Sequence, residues 1–411
     1  MEQIKVLQIS KKIPYPQHDG ESVASYALAK GLRAISGVTI DLLSLHTNKH
    51  KTDETEARKN LNSYDNIHFI DHDLSVEAFT LVRHTIAGKS YNICRFHSRK
   101  LEERLKHQLT NYRYDIVLLE TIYTSSYINT IRRMSPHTSI VLRIHNIEYI
   151  IWQQKANLTK NPAKKILFNS LSKQLKKYTI NVIPKIDRLV TISTSDHEWV
   201  VNSGLINVVD VSYQPIGIDH TLIKTNSSRI EEGRTHIGFI GAMDWDPNVD
   251  GLEWFVSKVW QPFFENQNQC QLHLAGRKYP IGKYAKVGGI VEHGQVPDAG
   301  QFLARVDILI APLFIGSGVR VKILESMAAG KAVITTSIGI SGINAVNGKE
   351  IIIANDDIEF KQAIDSLSQK EDLLYSFQKM ASMYIQCNYE QKNRSEQLYK
   401  LLKEVKQAKT P

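Results

Sequence analysis

The stretch Asp307-Ile-Leu-Ile-Ala-Pro312-Leu-Phe-Ile-Gly316-Ser-Gly318-Val-Arg320-Val-Lys322-Ile-Leu-Glu325-Ser-Met-Ala-Ala-Gly330 decides the fold. Its apolar start, Asp307–Ala311, reads as a buried strand that stops at Pro312. A glycine loop follows, and helical periodicity begins near Val319. Strand, glycine turn and helix N-terminus together make an anion site, because backbone N–H groups point outward and the helix dipole favours negative charge. Arg320 and Lys322 add two cations to the first turn. Cations there oppose the dipole by about 0.3–1 kcal/mol each, so a bound diphosphate accounts for them better than helix stability does. Glu325 lies one to two turns further on, in a largely apolar surrounding. A carboxylate in that place suits two hydroxyl donors such as a ribose offers. The plainer alternative is a surface pair with Lys322 or Lys331.

Outward from this stretch, the same alternation fills the chain. Short runs rich in Val, Ile and Leu occur at Val6–Ser10, Thr39–Leu45, Ile67–Ile70, Asp115–Glu120, Ile140–His145, Arg188–Ser193 and Val209–Tyr213. They recur at His236–Ile240, Gln271–Ala275, Gly289–Glu292, Asp307–Ala311, Ala332–Thr336 and Glu350–Ile353. Their lack of polar alternation suits strands buried on both faces of a parallel sheet. Helical periodicity separates them, as at Val23–Ile35, Val249–Phe264 and Val319–Ala329, and a long helical pair closes the chain. Alternating strand and helix predicts two α/β, doubly wound Rossmann-like domains. Pro215, Gly217 and the polar stretch Thr225–Arg234 mark the break. The expected division is 1–214, completed by a returning C-terminal helix at about 390–411, and 215–389.

Among 411 residues, 42% are hydrophobic and 23% charged, which excludes a disordered, fibrous or disulfide-scaffold chain. No apolar run reaches the roughly 18–20 residues of a membrane span, and the N-terminus has no signal-peptide core. The three cysteines, Cys94, Cys270 and Cys387, form no metal or redox spacing, so a reduced cytoplasmic compartment is expected. GxGxxG, Walker A, HExxH and GxSxG motifs are absent. Asp71-His-Asp73 has the letters of a metal-binding DxD, but reads as a solvated loop after a strand.

The net charge of +9 is carried entirely by residues 1–215. Residues 151–186 hold eight lysines, from Lys155 to Lys185, and no acidic residue. An apolar stripe at Leu167, Leu171, Leu175 and Tyr178 runs through them at helical spacing. Two readings stay open: a helix lying on anionic lipid at the inner face of a membrane, or a domain helix with its stripe in the core.

The second half resembles glycosyltransferase family 4. The matching residues are Gly238-Phe-Ile-Gly241-Ala-Met-Asp244-Trp-Asp-Pro247-Asn248-Val-Asp250-Gly251, then Leu274-Ala-Gly276-Arg277, Gly294-Gln-Val296 and the run Pro312–Gly330. More weakly, Pro14-Tyr-Pro16-Gln-His-Asp19-Gly20 and Arg143-Ile-His145-Asn146-Ile-Glu148-Tyr149 resemble the family's N-terminal segments. The resemblance implies the GT-B fold, two facing Rossmann-like domains with a cleft between them. It implies retaining, metal-independent hexosyl transfer from a nucleotide-sugar, UDP- or GDP-linked, to a saccharide or lipid-linked acceptor. Cell-surface polysaccharide or glycolipid assembly would be the setting. No other cofactor and no nucleic acid is implied.

Carried onto this chain, the resemblance gives His145, Arg320, Lys322 and Glu325 to catalysis. It gives Gly20, Gly241, Arg277, His293, Val296, Gly316, Ser317, Gly318 and Val319 to the donor, with His293 and Val296 in a loop cradling the base. His18, Asp19 and Glu148 would face the acceptor, a cap of the following helix being the plainer reading of Glu148; by local sequence Asn248, with Pro247, shapes the start of the helix at Val249 as its cap. Three departures stand out. Ser317 occupies the place of the family's first of two carboxylates separated by seven residues. The loop Ala242–Asp246 lacks the family's basic pair, and Gly20 stands alone where two glycines are common. An epimerase on the same fold would need its own carboxylates and histidine. A basic, non-catalytic module binding membrane or RNA would explain the charge but not Gly316–Gly330.

Overall fold

The computed structural model describes residues 3–75, 89–204, 209–219, 233–265, 269–316 and 318–409. Ser317 and most of the polar stretch 225–234 lie outside the described residues. The chain divides into two compact units. One joins Met1–Gln17, Glu21–Gly217 and Lys392–Pro411; the other joins His18–Gly20 and Ile218–Gln391.

In the first unit, the apolar runs form β1 (Ile4–Ser10), β2 (Val38–Thr47), β3 (Asn66–His72), β4 (Ile116–Glu120), β5 (Ser139–Ile144), β6 (Arg188–Thr191) and β7 (Asp210–Tyr213). They pair in parallel in the order β3-β2-β1-β4-β5-β6-β7. Alternate residues serve opposite faces, so the sheet separates two cores. Leu7, Ile9, Val117, Leu119 and Leu142 belong to one; Val6, Ile40, Ile116, Leu118 and Val141 belong to the other. That is why these strands read as continuous apolar runs.

The helix Gln391–Gln407 completes the second of these cores with Leu398, Leu401, Leu402 and Val405. Polar ties hold its end: Ser139 Oγ donates to the Val405 carbonyl at 3.2 Å, and Lys406 Nζ lies 3.2 Å from Asp115.

The second unit contains β8 (Thr235–Ile240), β9 (Cys270–Ala275), β10 (Ile290–Gly294), β11 (Ile308–Ala311), β12 (Ala332–Thr335) and β13 (Ile352–Ile353). The order is β10-β9-β8-β11-β12-β13, again parallel. In each sheet the order reverses once, at β1/β4 and at β8/β11. Ligands of doubly wound sheets bind beyond the strand C-termini at that reversal. The loop 312–320 leaves the end of β11, so chain order alone brings the glycine loop to the reversal point of the second sheet.

Among the described residues, no helix is long and apolar enough to cross a membrane.

Candidate functional site

The helix after β11 is Val321–Ala328, beginning two residues later than its periodicity suggests. Gly316 has φ +133° and Gly318 φ +76°, conformations that glycine adopts readily. At Gly316 a second reason applies: a Cβ there would lie 1.8 Å from a terminal nitrogen of Arg320. The guanidinium therefore folds back against the loop, and it also lies over the Trp245 ring, 5.5 Å from its centroid. Arg320 is the residue preceding the helix, and Val319, half-buried, comes just before it.

Lys322 does not project freely from the first turn. Its Nζ donates to Asn248 Oδ1 at 3.0 Å and to the Ile240 carbonyl at 3.3 Å, at the C-terminal end of β8. Burial, with the neighbouring Arg320 charge, lowers its pKa to about 7. Asn248 is not a cap. The helix Asp246–Trp254 starts before it with Trp245 at the N-cap, so the Asn248 amide bridges Lys322 and the Ala242 carbonyl, 2.9 Å away. Gly241 makes room for this bridge, because a Cβ there would meet the Asn248 amide at 2.9 Å.

Glu325 is the fifth residue of the same helix. Burial first, and the Asp298 charge second, raise its carboxyl pKa to about 7. The pairing with Lys322 or Lys331 does not form. Among the described residues the Glu325 carboxylate has neither a hydrogen-bond nor an ion-pair partner, while Lys322 is engaged with Asn248. One short helix thus carries a carboxyl of raised pKa and an ammonium of lowered pKa, and the guanidinium just before it lies against Gly316 of the glycine loop.

Other expected donor residues are placed differently. Arg277 is clamped to Asp244 at 2.8 Å, with Asp19 at 4.0 Å. Burial raises the Asp244 pKa, but Arg277 and Lys278 outweigh it and hold the carboxyl below its usual range. His293 is not in a loop but in β10, and Val296 lies in the segment beyond it. His293 Nε2 is 2.9 Å from His273 Nδ1, and His273 Nε2 is 2.9 Å from His236 Nδ1. Burial lowers the middle histidine's pKa to about 4. His18, Asp19 and Gly20 group with this unit; burial and then the Arg277 charge lower the His18 pKa.

In the first unit, His145 follows β5 and is buried. Its Nε2 lies 2.5 Å from Glu120 Oε2. Glu120 ends β4 and is wholly buried. It accepts from Arg143 at 3.1 Å and from Gln8 at 2.9 Å, and Gln8 in turn accepts from the Tyr64 hydroxyl. Burial raises the Glu120 pKa, but Arg143 and His145 outweigh it and keep it below the ordinary value. Glu120 was readable as a charge closing an apolar strand, yet nothing local says what it would meet.

Glu148 opens the helix Glu148–Leu158 without capping it. It accepts from the Tyr123 hydroxyl at 2.8 Å, and burial raises its carboxyl pKa. Asp71 and His72 end β3 rather than lying in a loop. Asp71 Oδ1 and Glu54 Oε1 stand 3.1 and 3.0 Å from His46 Nδ1. These three groups offer donor atoms close enough to share a cation.

Residues 234–370 match the family model described as glycosyl transferases group 1. An uncharacterized 44.6 kDa protein in the cps region of Klebsiella pneumoniae is 25% identical over 316 residues, covering 73% of this chain and 77% of that protein. Sucrose-phosphate synthase from Thermosynechococcus elongatus superposes with a TM-score of 0.74 at 12% identity, covering 99% of this chain and all of the other. Anabaena HepE in complex with UDP and glucose superposes at 0.68 and 11% identity, over 98% of this chain and all of the other. The chain thus has the GT-B fold, and its second unit carries a group 1 glycosyl transferase segment.

Proposed function

We propose that this protein is a glycosyltransferase that moves a sugar from a nucleotide-sugar to a saccharide or lipid-linked acceptor with retention of configuration. The observation that carries the reading is Glu325, a half-buried carboxyl of raised pKa without a partner among the described residues, on the helix that follows the glycine loop, with Lys322 on the same helix and Arg320 just before it. That raised pKa marks a carboxyl poorly served by water. Two ribose hydroxyls would satisfy this one, and the attached diphosphate would then lie against the N–H groups that begin the helix at Val321.

In the reaction, the anomeric carbon exchanges its bond to the diphosphate for one to the acceptor oxygen, and the acceptor's proton leaves with the diphosphate. Negative charge grows on the departing group. Arg320, Lys322 and the helix N-terminus are preorganised donors for that charge, a type of contact worth about 2.7–4 kcal/mol. These groups can neutralise a diphosphate without a metal. With a pKa of about 7, part of the Lys322 population is neutral at neutral pH, and an arriving anion would raise that pKa and draw a proton from solvent. His145, oriented by Glu120, would contact the sugar or the acceptor, with Glu148, His18 and Asp19 on the acceptor side. The neighbour crystallised with UDP and glucose favours a uridine donor, and the relative from a cps region favours cell-surface polysaccharide.

The test is a panel of UDP- and GDP-sugars in EDTA, followed by calorimetric binding and product analysis. We expect one donor to bind and be turned over, and Arg320→Ala to weaken binding at least tenfold. If no nucleotide binds the folded protein, the donor-site reading fails. If turnover appears only when a divalent cation is restored, the metal-free part fails.

A further inference from the structure

The helix Pro162–Val182 presents two faces. Leu171, Leu175 and Val182 are buried, and Tyr178 shares a hydrogen bond with the Ser125 hydroxyl at 3.0 Å. Of the apolar stripe read in the sequence, Leu175 and Tyr178 therefore join the core of the first unit and Leu171 is buried, while Leu167, nearer the helix start, is half-buried. Its buried members are not available to lipid.

The opposite face has its own pattern. At about 100° per residue, Lys173, Lys177 and Ile180 fall within about 40° of Ile166 around the helix axis. Ile166 is 73% exposed and Ile180 45% exposed. At 1.5 Å per residue they stand roughly 21 Å apart along one line. Exposed Lys173, Lys176 and Lys177 lie between them. At the helix start Lys165 is also exposed, about 100° from Ile166 around the axis, whereas the exposed Lys164 falls on the side of the buried stripe. None of these five lysines has an ion-pair partner among the described residues, and no acidic residue occurs from 151 to 186.

We propose that this outward face docks the protein on an anionic lipid bilayer. A protein partner fits it poorly, because interface cores are depleted of lysine and here lysines separate the isoleucines. A nucleic acid would use the lysines but has no use for exposed isoleucine. A bilayer uses both: the isoleucines enter the acyl boundary while the lysine heads reach back to phosphate. The docking is peripheral, since no described helix can span. The inference does not depend on the donor site.

The experiment is co-sedimentation of the full chain with phosphatidylcholine vesicles, pure or carrying about 30 mol % phosphatidylglycerol, at about 0.1 M salt. We expect strong partitioning only to the anionic vesicles, weakened by added salt. The double variant K173E/K177E should lose roughly tenfold or more of it. The double variant I166S/I180S should lose several-fold while keeping every charge. Circular dichroism verifies that both variants are folded, which their exposed positions favour. Absence of binding by the folded wild type, or unchanged binding by both variants, overturns the proposal. Sensitivity to the lysines without sensitivity to the isoleucines also overturns it, and points to a soluble polyanion instead.

Discussion

Glu325→Gln should make the protein more stable and less active, by an amount that depends on pH. The native carboxyl has a pKa of about 7 against an ordinary value of 4.5. At 1.36 kcal/mol per pKa unit, keeping it ionised in the folded chain costs about 3 kcal/mol. The unfolded chain ionises freely above 4.5. Between 4.5 and about 7 it therefore binds fewer protons than the native state, and stability falls as pH rises through that window. Below pH 4 both states are protonated and the cost vanishes.

Glutamine has no charge and cannot incur this cost. Any penalty for its buried amide is the same at both ends of the pH range. The quantity to measure is thus the difference between variant and wild type at pH 8 minus that at pH 4, from urea unfolding or thermal melts without nucleotide. It should be about 2–3 kcal/mol in favour of the variant, or roughly 5–10 °C in the melting temperature of a domain of this size. Sugar transfer should fall about 10²–10³-fold if the carboxylate is ligand-bound. An equal melting shift at both pH values would show that Glu325 is solvated, and full activity would remove it from the site.

Further outcomes follow from the same geometry. Lys322 has a pKa of about 7, and its charged form attracts a diphosphate. In calorimetric titrations the ratio of wild-type to Lys322→Met affinity for UDP or GDP, in which other titrations such as that of Glu325 cancel, should therefore fall by up to about tenfold per unit above pH 7. Gly316→Ala puts a methyl onto the Arg320 guanidinium and strains a φ of +133°. We expect nucleotide affinity to drop at least tenfold while circular dichroism stays unchanged. Glu120→Gln leaves the buried Arg143 without its counter-charge, a change worth about 3–5 kcal/mol, which denaturant unfolding should register as an early loss of the first unit.

The interior strands were legible because parallel strands buried on both faces have to be apolar, as Ile4–Ser10, Ile116–Glu120 and Ala332–Thr335 largely are, whereas β3, β7 and β10 carry polar residues and are only partly buried. The helix after the glycine loop was legible too, although it begins at Val321 rather than Val319. Glu120 stood at the end of an apolar strand, but its contacts with Gln8, Arg143 and His145 join three neighbouring strands that only sheet order brings together. Asn248 looked like a cap because local sequence favours one there. Its Lys322 partner lies 74 residues away.

Local sequence by itself determined the element types, the glycine loop and the charges beside it, because periodicity, φ preference and side-chain charge are properties of a residue and its near neighbours. It also determined that the segment 151–186 would be basic. Which face of that helix meets the core, which cation turns back to a strand end, and that Glu325 is left without a partner were decided by tertiary structure. Desolvation and pairing depend on what the fold brings alongside a residue, and those neighbours come from far along the chain.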